Sequence, residues 1–284
     1  MKVLLDTDLG NDIDDALTLA YLLAQPDCEL LGVTTVTAGA VDRARLASAV
    51  CAHYGYTVPI AAGADRPLAR EPLQEPPFDA AELLSRWPHG EPGHDAIDLM
   101  RRSIVDNPGA VTLIAIGPLT NVAKLIQAHP EVVPLLGALV FMGGRYHCRE
   151  EKPEWNIRND PEAAGIVVRS ALPRLRAVGL DVTRKVSMTP GEYRQRFSGL
   201  LLDFAGPWFS RRDRVTFHDP LAAATAFDPS LCGYVRAGIE VDADGWTSLV
   251  PGDHEVARSV VPERFFAHYF GVLGALPHSS YGES

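Results

Sequence analysis

The chain has 284 residues, 46% of them hydrophobic and 22% charged, and a formal net charge of -10 at pH 7. That length and apolar share suit a large buried core and exclude intrinsic disorder, and residues 1–284 read as a single domain. The acidic excess excludes nonspecific binding to nucleic acid or to an anionic membrane, both of which need a basic surface; an acidic site that holds a cation is compatible with it.

Short apolar runs alternate with helical periodicity from the start. "KVLLD" reads as a strand, residues 14–24 as a helix, "CELLGVTTVT" as a strand, residues 42–54 as a helix and "TVPIAAG" as a strand. The rhythm continues with "HDAIDLMRRSIVD" (helix), "AVTLIAI" (strand), "LTNVAKLIQAH" (helix), "LGALVFMGG" (strand), "DPEAAGIVVRSA" (helix) and "LRAVGLDVT" (strand). Between them, residues 66–92 are rich in proline and read as a surface flap. After Thr183 the pattern turns helical in "TPGEYRQRF" and "LLDFAGPWF", and "GYVRAGIEVDADGWTSLVPG" predicts a hairpin turning at Asp244 and Gly245. The expected fold is α/β: an open, mainly parallel sheet flanked by helices, with a helical and hairpin C-terminal part.

Open parallel sheets bind ligands beyond the carboxyl ends of their strands. Those ends carry "DTDLGNDIDD", "TTVTAG", "AIGPLTN", "FMGGRYH" and "GLDVT". The first places five aspartates, Asp6, Asp8, Asp12, Asp14 and Asp15, within ten positions. Ionised carboxylates that close repel one another unless protons or a cation neutralise them, and a hard divalent ion removes the conflict. No His-x-x-x-His or cysteine pair stands nearby, so calcium or magnesium is expected before zinc. An aspartate can also cap the helix that follows, but capping accounts for one or two residues and not for five.

The four cysteines, Cys28, Cys51, Cys148 and Cys232, are far apart, which argues for reduced thiols over a zinc knuckle or a disulfide framework. The opening "MKVLLDTD" is strand-like and lacks a signal-peptide pattern, and no apolar run of about 18 residues occurs. A soluble cytoplasmic protein is expected.

"DTDLGNDIDDA", "GPLTN", "FMGG", "EWN" followed by "DPEAA", and "FHDPLAA" stand in the order of the inosine-uridine-preferring nucleoside hydrolases, which the chain resembles from about residue 2 to residue 250. The resemblance implies a calcium-dependent N-ribohydrolase with a Rossmann-like sheet that splits a nucleoside into base and ribose. It implies that Asp8 binds calcium and is the general base, and that Asp15, the backbone carbonyl of Ile116 and Asp219 complete the metal site. It implies ribose contacts from Asn156, from Glu154 near the 5' end, from Met142 along the sugar, and from an aspartate of the first motif. Here the motif is two residues longer than the common form, so that aspartate is Asp12 or Asp14; Asp12, in the loop, is slightly favoured. A homodimer or homotetramer is also implied. Cleavage builds positive charge on the ribose ring, which nearby carboxylates stabilise, and a water that calcium has made more acidic gives its proton to Asp8. Inversion through a single displacement is the expected course.

Other residues divide between chemistry and structure. His218, beside Asp219, is expected to help protonate the departing base; the alternative is a half-buried histidine that orients Asp219. Trp155 offers a stacking surface for a base, whereas Trp208 at helical spacing is read as core more readily than as a stacking ring. Met142 is equally a core methionine before a turn. Asn121 is expected to brace the metal loop, Asp181 to give indirect support, and Asn159 and Asp160 to begin a helix with Pro161 at its first position. His53, His129, His254, His268 and His278 read as surface or packing residues. Two departures bear on the substrate: Gly39 stands where many relatives place a sugar-contacting asparagine, and the flap, with Glu91 and His94, is shorter than usual.

Two other functions compete. "LLDTD" also resembles the nucleophile strand of haloacid-dehalogenase-like phosphatases, with Asp6 as nucleophile, although Gly10 stands where those enzymes want Thr or Val. A noncatalytic, calcium-dependent nucleoside or sugar binder is the third reading, motivated by the missing asparagine and the short flap.

Overall fold

The computed structural model describes residues 1–148 and 152–274, so His278 lies outside the described residues. Among the described residues ten strands form: β1 (Lys2–Thr7), β2 (Glu29–Thr35), β3 (Ile60–Ala62), β4 (Val111–Ala115), β5 (Ala138–Met142), β6 (Leu175–Val178), β7 (Ser187–Met188), β8 (Val215–Thr216), β9 (Cys232–Val241) and β10 (Thr247–Val260). Eight of them make one sheet in the order β3-β2-β1-β4-β5-β6-β10-β9, and β7 pairs with β8 in a separate antiparallel ladder. All neighbours in the large sheet are parallel except β10 with β9. An α/β fold with a mainly parallel sheet is thus what the chain adopts.

β1 is an interior strand, between β2 and β4, and both its faces are covered. Val3 and Leu5 point into one apolar cluster and Leu4 into the other, as the alternation of a strand requires. The helix Asp14–Ala24 is buried along all of its residues, which suits its near-continuous apolar run. From β1 the chain builds outward through β2 to β3, then returns to the other side of β1 with β4. Strand order therefore reverses between β1 and β4, and the crevice beyond their carboxyl ends is the place such sheets reserve for a ligand.

Differences from the sequence expectations are local. "LRAVGLDVT" is strand only to Val178, and Leu180–Thr183 is a helical turn. The strand stops where the loop after β5 presses on it: a Cβ on Gly179 would stand 2.6 Å from the Gly144 carbonyl oxygen. The helix expected over residues 42–54 is Ala40–His53, entered from Gly39 at φ 79°. The flap holds a helix, Ala80–Arg86, in otherwise irregular chain. The hairpin turns as expected, with Gly245 at φ 91° and Asp242 Oδ1 accepting from the Asp244 and Trp246 backbone NH groups. It is not a separate tail, however. β10 runs parallel to β6 at Glu255↔Arg176 and Val256↔Ala177, so the hairpin closes one edge of the sheet.

Candidate active site

Beyond the carboxyl ends of β1, β4 and β5 lies a cavity of about 1050 Å³ whose walls include Asp8, Asp12, Asp14, Asp15, Ile116, Met142, Glu154, Trp155, Asn156, His218 and Asp219. The fold thus brings every site residue expected from the sequence to one place. They come from three strand ends and the N-termini of three helices, Asp14–Ala24, Trp155–Asn159 and His218–Phe227.

The tightest group is acidic. Asp14, Asp15 and Asp219 each offer a carboxylate oxygen within 4.8 Å of the others, and all three are buried. Asp14 and Asp15 begin one helix and Asp219 stands in the first turn of another, so two helix N-termini point their positive ends at the cluster. The two helices also touch directly, since the Asp219 NH donates to Asp14 Oδ2 at 3.2 Å. Burial foremost, then the neighbouring carboxylates, pushes all three acids well above the usual carboxylate range. No side chain caps the first helix, whose N-cap is Ile13. Capping therefore does not explain the aspartates.

Buried oxygens alone, each strained by its neighbours, form a donor set that fits a hard divalent cation. Of the four ligands expected, the tight group contains Asp15 and Asp219, with Asp14 in place of Asp8. Asp8 lines the same cavity, and burial raises its pKa while the Arg43 charge and a hydrogen bond from Gln74 oppose the rise. The Ile116 carbonyl accepts from Asn156 Nδ2 at 2.8 Å, and a carbonyl oxygen keeps a second lone pair. Asp12 is only partly buried and its Oδ1 accepts from the Ile13 NH at 2.6 Å, whereas Asp14 sits within the acidic group.

Glu154 caps its own helix: its carboxylate accepts from the NH groups of Gly144, Asn156 and Ile157 at 3.0, 2.8 and 3.0 Å. Asn156, beside it, also reaches the Met142 carbonyl at 3.3 Å and its sulfur at 3.6 Å, which fixes the amide against the cavity wall. His218 Nδ1 meets Thr183 Oγ1 at 2.7 Å, and burial, aided by the Arg184 charge, pushes its pKa down to about 4. The imidazole is therefore neutral near pH 7. Trp155 is 45% exposed, and Trp208, read from the sequence as core, also lines the cavity.

Several residues in and around the site carry no sequence signal of their role. Gln74, from the flap, bonds Asp8 and accepts from Trp155 Nε1 at 3.1 Å, so the flap is part of the wall. Arg43 is fully buried and donates to the carbonyls of Asp8, Leu9, Ala38 and Glu75. It ties the aspartate loop to the flap, and only its position on the buried face of a helix hinted at it. Gly39 has a steric cause, because a Cβ there would meet Pro77 Cδ at 2.9 Å. The flap prolines occupy the space an asparagine would need. Asn121, expected to brace the metal loop, bonds instead to the strands beside it, donating to Asp6 Oδ1 at 2.8 Å and to the Thr35 carbonyl at 2.9 Å. Asp181 instead holds the loop after β5, through the NH groups of Tyr146 and His147. Asp160 is an N-cap, and Asn159 ends the preceding helix rather than beginning the next.

A family model described as "Inosine-uridine preferring nucleoside hydrolase" matches residues 3–267. The chain belongs to that family. Among curated nucleoside hydrolases, an inosine-uridine preferring enzyme of Leishmania major is 30% identical over 269 residues, 86% of this chain and 84% of that protein. The non-specific ribonucleoside hydrolase RihC of Escherichia coli is 36% identical over 200 residues, 67% of this chain and 64% of that protein. Among solved structures, a purine-preferring ribonucleoside hydrolase from Gardnerella vaginalis superposes with a TM-score of 0.85 at 25% identity, covering 97% of this chain and 99% of that one. As a nucleoside hydrolase family member the chain is an enzyme of the hydrolase class. Among the described residues no helix is long and apolar enough to cross a membrane.

Proposed function

We propose that the chain hydrolyses the N-glycosidic bond of a ribonucleoside, releasing base and ribose, with calcium as its metal ion. The observation that carries this reading is the buried convergence of Asp14, Asp15 and Asp219 in one cavity with Asp8, Asn156 and His218. Asp8, Asp15, Asp219 and the Ile116 carbonyl are the proposed ligands, and Asp14, which shares the acidic group, is favoured over Asp12 for the ribose hydroxyls. A divalent cation there would neutralise the acids and supply Lewis-acid activation of water.

The chain's own groups do the rest. Asp8, held between Gln74 and Arg43, accepts the proton of the attacking water. Asn156 and Glu154 orient the sugar, Met142 lies along it, and the carboxylates beneath the ring stabilise the positive charge that builds as the bond to the base lengthens. His218, neutral and tied to Thr183, offers a hydrogen bond to the leaving base rather than a stored proton. Trp155 supplies a ring for the base. Attack opposite the base gives inversion in one displacement; a sugar adduct trapped on any side chain by rapid quench and mass spectrometry would refute that course.

A reducing-sugar assay across purine and pyrimidine nucleosides tests the whole reading. Ribose release that stops on chelation and returns with calcium is expected. The binder reading has Gly39 in its favour, and calcium-dependent nucleoside binding without turnover would establish it. Four cysteines without a disulfide are compatible with a cytoplasmic location, and light scattering tests the homodimer or homotetramer.

A further inference from the structure

The cavity has two electrostatic poles. Its floor is the acidic group, yet Lys152, Arg211 and Arg212 line the same space in a chain whose net charge is -10. Several other arginines of this acidic protein find carboxylates, as Arg45 does with Glu91, Arg86 with Asp203 and Arg176 with Glu255. Among the described residues Lys152, Arg211 and Arg212 make no such pair.

The two arginines are nevertheless held in place. Arg211 Cζ lies 4.1 Å from the centroid of the Phe78 ring, and Arg212 Cζ lies 5.7 Å from that of Trp208. Both rings belong to the cavity wall, one from the flap and one from the helix Gly199–Phe209. A guanidinium stacked on an aromatic face keeps its N–H edge free, and that edge is a fork matched to a carboxylate or a phosphate. Arg194 and Arg196 also stand over rings, those of Phe209 and Phe270, but outside the cavity.

We propose that the substrate is a ribonucleoside carrying an anionic group, a carboxylate on the base or a phosphate on the 5' oxygen, received by Arg211 and Arg212 while the ribose meets the acidic floor. This rests on the nucleoside hydrolase reading and names a substrate class within it. Lys152 adds to the attraction.

The test measures release of free base from uridine, uridine 5-carboxylate, uridine 6-carboxylate and uridine 5'-monophosphate, in calcium buffer at low and high ionic strength. One anionic substrate is expected to exceed uridine about tenfold in kcat/KM at low salt, and the advantage shrinks as salt screens the exposed arginines. A carboxylate preference assigns the anion to the base, and a monophosphate preference assigns it to the sugar. The double variant R211Q/R212Q should lower the ratio of anionic to neutral kcat/KM about tenfold, with R211K/R212K recovering part of it. Uridine cleaved as well as every anion, or a ratio unmoved in the double variant, overturns the proposal and leaves nucleoside hydrolysis standing. If none of the four is cleaved, the hydrolase reading stands or falls on the purine and pyrimidine panel above. Calorimetry with the uncleaved ligands then decides: an anion bound about tenfold more tightly than uridine supports the charged mouth, and equal or weaker binding overturns it.

Discussion

Asp8 differs from its acidic neighbours in what surrounds it. After burial, the strongest influence on Asp14, Asp15 and Asp219 is another carboxylate, that of Asp12, Asp8 and Asp14 in turn, whereas for Asp8 it is the Arg43 charge, followed by the Gln74 amide. That suits a carboxylate that must accept a proton and give it up again. Asp8→Asn keeps size and removes basicity, so kcat should fall by about two to four orders of magnitude with thermal stability little changed; a drop below tenfold would remove Asp8 from the role of base. Gly117 supports the same group from behind, since a Cβ there would stand 2.9 Å from Asp8 Oδ1 and 3.0 Å from its backbone nitrogen. Gly117→Ala should therefore displace the carboxylate, and we expect kcat/KM to drop at least about tenfold in a protein whose circular dichroism is unchanged. Asp6 is a contrasting case: fully buried and bonded to Thr34 and Asn121, it holds strands together and does not line the cavity.

At the scale of elements, the cavity exists because loops at strand ends are pinned by side chains from distant segments. Asp160 is the clearest pin. Its carboxylate accepts from the Ala163 NH at 3.1 Å, the Leu68 NH at 2.9 Å and the Thr120 hydroxyl at 2.7 Å, joining a helix start, the flap and the "GPLTN" turn. Asp160→Ala leaves three donors short of a partner and should cost about 3 kcal/mol of stability, read by urea denaturation, with Asp160→Asn losing less. Pattern reading found this helix start and Pro161 behind it, because caps are written in adjacent residues. It could not find the bonds to Leu68 and Thr120, which come from segments 92 and 40 residues away. The flap illustrates the same limit: its prolines announced irregular chain, but not that Gln74 and Phe78 would reach the cavity.

For the molecule as a whole, the acidic floor couples stability to pH and to metal. Burial raises Asp6 from the ordinary 3.8 to about 7 and pushes Asp14, Asp15 and Asp219 well up too. A group whose pKa is higher folded than unfolded favours folding fully below its unfolded pKa, and that contribution is lost as pH rises through the folded value. Asp14, Asp15 and Asp219 therefore cost the metal-free protein stability from about pH 4 upward, and Asp6, outside the cavity, adds its own cost up to about pH 7. A cation that binds only the folded form reverses the loss. Calorimetric melting with chelator and with calcium, at pH 5 and pH 8, should give the larger calcium-induced rise in Tm at pH 8. A rise that is equal or larger at pH 5 would mean that these carboxylates are not where calcium binds.

What the amino-acid order determined alone was whatever is encoded in neighbours: the alternation of strands and helices, the parallel sheet, the glycine turns and the aspartate-rich loop. Burial periodicity and turn chemistry are local, so one strand of text carries them. The tertiary structure decided which acids meet, since Asp14 and Asp219 are 205 residues apart and are joined only when two helices pack side by side. It likewise decided that Arg43 and Gln74 support Asp8, and that Arg211 and Arg212, without a carboxylate partner among the described residues, line an acidic cavity. Contacts of that kind depend on how whole elements pack, and no period in the sequence records them.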